Sequence, residues 1–173
     1  MKGDENQQNK MKSIKIDSVT LHCSSADSAK LNKEEILLER ISGAKPVRTL
    51  AKKRIPVWKI KQGMDIGVKV TLRGKKATEL LKTLIAGIQE FKESQFNPGS
   101  FAFGIKEYIQ VPAITYQRDL GMMGFEVMVS LKRPGFRVSK RRKFPAKIGA
   151  SHRITKKETI EFFKINFGMN IKQ

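Results

Sequence analysis

Acidic residues are scarce in this sequence of 173 residues, which has 16 Asp and Glu against 35 Lys and Arg and a net charge of +19. A folded domain with so much charge of one sign repels itself, and such a charge is typical of proteins that bind a polyanion. Nucleic acid, an anionic membrane surface and acidic proteins are the candidate partners. A surface selected only for solubility would gain acidic residues more readily than basic ones.

Cysteine and histidine are nearly absent as well. The single cysteine, Cys23, excludes an intrachain disulfide, and two histidines are too few for the usual zinc sites. We therefore expect no metal, no cofactor and a reducing compartment. No apolar run approaches the ~18 residues of a membrane span, and the polar N-terminus resembles neither a secretion nor a mitochondrial import signal. These absences predict a soluble, cytoplasmic protein that binds no membrane.

No group of residues has the pattern of an active site. The turn RGKKAT at 73–78 lacks the glycine spacing and the Ser or Thr of a phosphate-binding loop. His22 and Cys23 are neighbours on a predicted strand, so their side chains point to opposite faces and do not form a base and nucleophile. The acids lie mostly on predicted helix surfaces. We interpret the chain as a non-enzyme without a small-molecule substrate.

The positive charge is concentrated in two segments that contain no acidic residue. We call residues 40–64 the first basic window and residues 127–157 the second basic window. The first contains Arg40, Lys45, Arg48, Lys52, Lys53, Arg54, Lys59 and Lys61. The second contains Lys132, Arg133, Arg137, Lys140, Arg141, Arg142, Lys143, Lys147, Arg153, Lys156 and Lys157. The two windows carry essentially the whole net charge, because the rest of the chain is balanced.

Proline and glycine interrupt both windows, so neither is predicted to be one long helix. We expect extended loops or strand ends, from which basic side chains reach phosphates and release counterions. Two aromatic residues lie within the windows, Trp58 and Phe136. The pattern leaves two interpretations open for each: stacking on an unpaired base, or anchoring the loop on the hydrophobic core.

Hydrophobic periodicity predicts strands and helices in mixed order. Strands are predicted at 14–21 (with a one-residue phase slip), 66–72, 101–105 and 125–131, and helices at 29–42, 76–91 and from Thr155 onward. Asp27 or Ser28 is the expected cap of the first helix, Gly43 its end, and Thr155 and Glu158 a capping box. Residues 1–12 are predicted to be disordered and residues 13–173 to form one domain. This order suits an antiparallel or mixed sheet with helices packed on one face and long basic loops.

Four segments resemble those of a known family in their order and spacing: VKVTLRG at 68–74, FAFGIKEYI at 101–109, LGMMGFEVMVSLKRPGF at 120–136 and IGASHRITKKE at 148–158. The sequence resembles, from about Ile14 to Gly168, the large-subunit ribosomal protein family that binds 5S rRNA, called protein five in bacteria and protein eleven in eukaryotes. KRPGF at 132–136 and HRI at 152–154 resemble its archaeal and eukaryotic branch.

The resemblance implies an α+β fold with an antiparallel sheet and helices on one side. It also implies a structural role in the central protuberance of the large subunit, with 5S rRNA, adjacent large-subunit rRNA and neighbouring ribosomal proteins as partners. The expected location is the cytoplasmic ribosome, with nuclear and nucleolar passage if the source is eukaryotic.

The resemblance also assigns roles to the two windows. In the family, the loop after the first helix reaches toward peptidyl-site tRNA, so the first window supplies the candidates Arg48, Lys52, Lys53 and Arg54. The second window is then an rRNA-facing surface, with the candidates Arg133, Arg137, Lys140, Arg141, Arg142, Lys147, His152 and Arg153.

Two short segments depart from the family pattern. After the first strand the family usually has an Asn and a glycine-containing turn near the 5S rRNA contact, where this chain has LHCSSADS at 21–28. His22, Ser24 and Ser25 are therefore the candidates for that contact. Trp58 and Lys59 stand where the family usually has Phe-Gly.

Overall fold

The structure is a computed structural model that describes residues 9–88, 90–112 and 114–172. The strands are β1 (Lys15–Ser24), β2 (Val47–Leu50), β3 (Asp65–Leu72), β4 (Phe91–Lys92), β5 (Phe96–Asn97), β6 (Ser100–Ile105), β7 (Phe125–Lys132) and β8 (Ile171–Lys172). The helices are α1 (Ser28–Ser42), α2 (Lys75–Ala86), α3 (Arg137–Lys140) and α4 (Lys156–Phe167). Of the segment predicted to be disordered, residues 1–8 lie outside the described residues, and Lys10–Lys12 form one 3-10 turn capped by the side chain of Asn9.

Six strands form one antiparallel sheet in the order β2-β3-β1-β7-β6-β5, and β4 and β8 form a separate parallel pair. The central strand β1 pairs with β3 on one side and with β7 on the other. Its register against β7 shifts between Ile16 and Ser18, which is the phase slip expected from the sequence. The fold class α+β with an antiparallel sheet is confirmed.

Alternate residues of the sheet face the helices, and this face forms the core. Val19, Leu21, Val68, Val70, Val127 and Val129 are buried there. Helix α1 packs against β3, α2 against β1, and α4 against β5. Phe163 of α4 lies 4.9 Å from Phe101, which stacks on Phe96 at 4.3 Å between ring centroids. In the described part of the chain the opposite face carries no helix, so the prediction of helices on one face is confirmed.

The predicted helix ends are present for α1 and α4. The Asp27 carboxylate accepts a hydrogen bond from the Ala29 N–H at 3.0 Å, and Gly43 takes a left-handed conformation after the last turn. Thr155 and Glu158 form the expected capping box at the start of α4. These local signals determine where each helix begins and ends because they satisfy backbone groups that the helix leaves unpaired.

The predicted end of α2 is wrong, because the helix stops at Ala86 and not near residue 91. A side chain at Gly87 would lie 2.4 Å from the Gln110 carbonyl oxygen, so the helix ends where another part of the chain crosses it. Phe91 is buried as predicted, but it lies in β4 and pairs with Ile171. The apolar spacing that suggested one more turn belongs to a strand.

The two basic windows leave the sheet at opposite ends of β1. Ser24 pairs with Gly67, at the end of β3 that follows the first window. Lys15 pairs with Lys132, from which the second window leaves β7. At the usual rise per residue, β1 separates these ends by about 30 Å. Within the described residues, no helix is long and apolar enough to cross a membrane.

Candidate nucleic-acid interface

The face of the sheet without helices is open and lined by short side chains. It presents Ser18, Thr20, Thr71, Ala102, Gly104, Met128 and Ser130. The hydroxyls of Thr20 and Thr71 lie 3.3 Å apart across the strands. Short polar side chains leave room for a sugar-phosphate backbone to approach, and hydroxyls are common partners of phosphate oxygens.

His22, Ser24 and Ser25 lie together where β1 ends beside this open face. His22 points to the open side, with its Nδ1 3.6 Å from a Glu126 oxygen, too long for a hydrogen bond. Ser24 is exposed, and the Ser25 backbone N–H donates to the Ile66 carbonyl at 3.1 Å. A side chain at Gly67 would lie 3.2 Å from the His22 Nε2 and still closer to neighbouring atoms. Glycine at 67 therefore leaves the space in which the imidazole lies.

Cys23 has the opposite environment from His22. Its side chain is buried on the core face, and burial raises the pKa of the thiol to about 12. A thiol with such a pKa is not ionised at neutral pH, so it is a poor nucleophile. The expectation that His22 and Cys23 do not cooperate in chemistry agrees with this placement.

Glu34 is a buried acid on α1 that lies near the same end of β1. Its residue surface is only 3% exposed, and its Oε2 has no hydrogen-bond partner among the described residues. Burial raises the pKa of the Glu34 carboxyl, although the charges of Lys30 and His22 act to lower it. A buried, incompletely paired carboxylate costs stability whenever it is ionised.

We expect Glu34→Gln to increase the free energy of unfolding at neutral pH by about 1 kcal/mol. The pKa of this carboxyl is higher in the folded than in the unfolded chain, so wild-type stability falls as pH rises from the ordinary value of 4.5 through the folded value. Below that ordinary value both side chains are neutral, and the two proteins should unfold alike. Urea unfolding across pH measures this, and an advantage of the variant that does not depend on pH would contradict it.

In the first window, Arg48 is held by partners of its own. Its guanidinium donates to Glu35 at 2.7 Å, to Asp65 at 3.3 Å and to Asn32 at 2.8 Å. These contacts join β2 to α1 and β3. The structure therefore gives Arg48 the task of fixing the base of the loop.

The remaining candidates of this window are exposed on the loop between β2 and β3. Lys52, Lys53 and Arg54 are exposed there. Trp58, at 65% exposure, lies on the same loop, so the interpretation of Trp58 as an anchor on the core is wrong. Lys59 follows with a φ of +55°, a backbone conformation that the glycine usual in the family adopts without strain.

In the second window, Arg133 and His152 hold the loop to the rest of the fold. Arg133 is 5% exposed, and its Nη2 donates to Glu158 at 2.6 Å while Nη1 donates to the carbonyls of His152 and Arg153. The Nε2 of His152 lies 2.9 Å from the Pro134 carbonyl oxygen, and the ring packs edge-on against Phe136. Phe136 is half-buried on the core, which favours its interpretation as an anchor.

Three further cations of this window have partners but remain exposed. Lys140 forms an ion pair with Asp17, whose pKa is lowered mainly by the hydrogen bond from Lys132 and then by Lys140. Arg141 donates to the Phe144 carbonyl at 2.8 Å, and Arg153 donates to the Ile148 carbonyl at 3.2 Å. Arg137, Arg142, Lys143 and Lys147 are exposed. The positive charge that an RNA meets is thus a surface around residues 137–147.

One residue that the sequence reading did not select stands out in this surface. Phe144 is 85% exposed and has a φ of +48°. The signal was present in the sequence, because Phe144 follows three basic residues and precedes a proline in a segment without acids. Among the described residues, no group of three or more His, Cys, Asp and Glu is placed to hold a metal ion.

Comparison with known proteins places the chain in a family. The family model described as ribosomal protein L5 matches residues 9–61, and the model for the C-terminus of the same ribosomal protein family matches residues 65–162. The curated relatives include large ribosomal subunit protein uL5 of Nanoarchaeum equitans, 44% identical over 164 residues, which are 93% of this chain and 97% of the relative. The uL5 protein of Sulfurisphaera tokodaii is 40% identical over 167 residues, 94% of each chain. That of Methanococcoides burtonii is 39% identical over 167 residues, 95% of this chain and 99% of the relative.

An antiparallel α+β scaffold with basic loops and these relatives define a structural protein of the large ribosomal subunit, not an enzyme. The chain belongs to the ribosomal protein L5 family, uL5. The predicted resemblance, including its archaeal character, is confirmed.

Proposed function

We propose that this chain binds 5S rRNA and adjoining large-subunit rRNA in the central protuberance, and that its first basic window lies near peptidyl-site tRNA. The observation that carries the proposal is the arrangement of exposed cations in two acid-free loops at opposite ends of an open sheet face. Loops about 30 Å apart suit two separate RNA contacts better than a single one. Neighbouring ribosomal proteins are further partners.

The rRNA contact is assigned to the second window. Arg137, Arg142 and Lys147 are exposed and suited to phosphate contact, and Lys140, Arg141 and Arg153 stand beside them with part of their donors engaged. Arg133 and His152 act behind them as positioning residues, because their polar atoms bind the protein's own loop. Each phosphate neutralised here releases counterions and makes binding weaker as salt increases.

The 5S rRNA contact is assigned to the open sheet face and to His22, Ser24 and Ser25 at the end of β1. The flat, polar face admits an RNA backbone, and His22 offers a donor or acceptor and a ring that stacks. The short side chains of the sheet and the exposed Ser24 support this role. No membrane and no small molecule has a part in it.

The tRNA contact is assigned to the loop of the first window. Lys52, Lys53 and Arg54 supply its charge and Trp58 an exposed ring, while Arg48 fixes its base. The place of work is the ribosome in the cytoplasm. The passage through a nucleus that we expected for a eukaryotic source gains no support from the archaeal relatives.

The affinity of the chain for 5S rRNA, tRNA and an unrelated RNA hairpin, measured across a salt series, tests this proposal. We expect a steep salt dependence for all three RNAs and a preference for 5S rRNA that persists at moderate salt. Equal affinity for the three RNAs at every salt concentration would overturn specific 5S rRNA binding and leave only general attraction to a polyanion.

Replacing Lys52 and Lys53 together by alanine is expected to weaken peptidyl-site tRNA binding by large subunits severalfold, because two phosphate contacts are lost. Affinity for 5S rRNA should stay within about twofold of wild type, since the loop lies at the far end of β1 from the second window. Filter binding of labelled tRNA to subunits carrying the variant measures the first effect.

The matched control replaces Lys75 and Lys76, two exposed lysines at the start of α2 that are also adjacent in sequence. This pair should leave both RNA affinities unchanged. Loss of 5S rRNA binding by the Lys52 and Lys53 variant, with tRNA binding intact, would show that the two windows have the opposite roles.

A further inference from the structure

Phe144 is the one phenylalanine of this chain whose ring lies in solvent. The chain has ten phenylalanines, all within the described residues, and the other nine are buried or packed against the core. Phe144 is 85% exposed. An isolated exposed aliphatic residue is ordinary, but a fully exposed aromatic ring leaves a large apolar surface without a partner.

The backbone of the protein holds this ring outward. Arg141 donates from its side chain to the Phe144 carbonyl at 2.8 Å and from its backbone to the Arg137 carbonyl at 2.9 Å. The Ala146 N–H donates to the Val138 carbonyl at 3.2 Å, and Pro145 restricts the next φ angle. These contacts keep the turn at 141–146 in a defined shape.

The conformation of Phe144 has no benefit for folding alone. Its φ of +48° lies in the left-handed region that favours glycine and is unfavourable for an aromatic residue. The ring gains no burial in return. Unfavourable backbone angles that the surrounding structure maintains are concentrated where the chain meets a ligand.

The surroundings identify the ligand by its charge. Arg142 and Lys143 precede the ring and Lys147 follows it, all three exposed, and no acid occurs between Glu126 and Glu158. A ring among cations fits a ligand with anionic groups and flat apolar faces at once. Unpaired nucleotides have both, since their phosphates attract cations and their bases stack on aromatic side chains.

We propose that Phe144 is a stacking site for an unpaired base of rRNA, with Arg142, Lys143 and Lys147 binding the adjacent phosphates. This proposal rests on the proposed function of the second window as an rRNA-facing surface. It adds a residue and a mode of recognition that charge alone does not provide.

The test compares two probes with the same backbone, a short oligoadenylate and an oligonucleotide of equal length whose residues are abasic. We expect Phe144→Ala to reduce affinity for oligoadenylate about tenfold and to leave affinity for the abasic strand and the salt dependence unchanged. Any stacking by Trp58 contributes equally to wild type and variant, so it cancels from this comparison.

Two further substitutions separate stacking from simple hydrophobic contact. Phe144→Trp should keep the preference for oligoadenylate, and Phe144→Leu should lose it as alanine does. Full binding by the leucine variant would overturn the stacking assignment. Thermal unfolding shows whether each variant folds, and an exposed ring should contribute little to it.

A variant with Arg142, Lys143 and Lys147 all replaced by glutamine distinguishes the two proposals. It should weaken binding to both strands. If it does and Phe144→Ala leaves the two affinities in their wild-type ratio, the stacking site is wrong and the rRNA-facing window stands. If the glutamine variant binds both strands as wild type does, the rRNA-facing window is wrong, and the stacking site with it.

Discussion

Replacing Arg133 by alanine is expected to lower the free energy of unfolding by about 3 kcal/mol, a large part of the stability of a domain of this size. The substitution leaves the Glu158 carboxylate without its strongest partner and removes the donors to two loop carbonyls. The connection between the end of β7, the turn at 150–153 and the start of α4 is lost with it. Urea unfolding of the two proteins measures the difference.

The pH dependence of this loss identifies its cause. Burial acts to raise the pKa of Glu158, but the hydrogen bonds from Thr155 and Arg133 together bring it below its ordinary value of 4.5. A carboxyl with a lowered pKa stabilises the folded chain above its unfolded pKa, and this contribution is lost as pH falls through the folded value. The difference between wild type and Arg133→Ala should therefore shrink in acid.

The matched control combines Arg133→Met with Glu158→Gln, which removes both charges and keeps most of the volume. It should recover most of the stability, because no charge is left without its partner. If Arg133→Ala unfolds like wild type but binds rRNA poorly, Arg133 contacts RNA directly and is not a positioning residue.

The glutamine variant of Arg142, Lys143 and Lys147 is expected to lose about 100-fold in rRNA affinity near physiological salt, at roughly 1 kcal/mol for each contact. The slope of log affinity against log salt should become shallower by about 2, since each lost phosphate contact removes slightly less than one. Stability should change little, because all three side chains are exposed. A salt series with protein-free large-subunit rRNA measures both quantities.

The control for this variant replaces Lys33, Lys76 and Lys82, three exposed lysines on α1 and α2, by glutamine. The net charge of the two variants is the same, and only the location of the charge differs. An equal loss of affinity in both would mean that total charge, and not the second window, determines rRNA binding.

Much of the fold could be predicted because its signals are local. The caps of α1 and α4 and the phase slip in β1 depend on residues that are close in sequence. The end of α2 could not be predicted, because it depends on the backbone at Gln110, which reaches Gly87 only in the folded chain.

The site shows the same division. The segments that carry the charge were visible as acid-free windows, since charge is read directly from the sequence. The partners of each cation were not, because Arg48 meets Glu35 and Arg133 meets Glu158 only through tertiary contacts. The sequence therefore selects the surface, and the structure separates the residues that build it from those that reach RNA.

Co-sedimentation with large ribosomal subunits in high salt tests most directly whether the second window holds this chain on rRNA. Subunits would be assembled with wild type, with the glutamine variant of Arg142, Lys143 and Lys147, or with the control variant of Lys33, Lys76 and Lys82. We predict that wild type and the control sediment with the subunit at a salt concentration that releases the second-window variant. Retention of that variant at the same salt as wild type would contradict the assignment of rRNA binding to the second basic window.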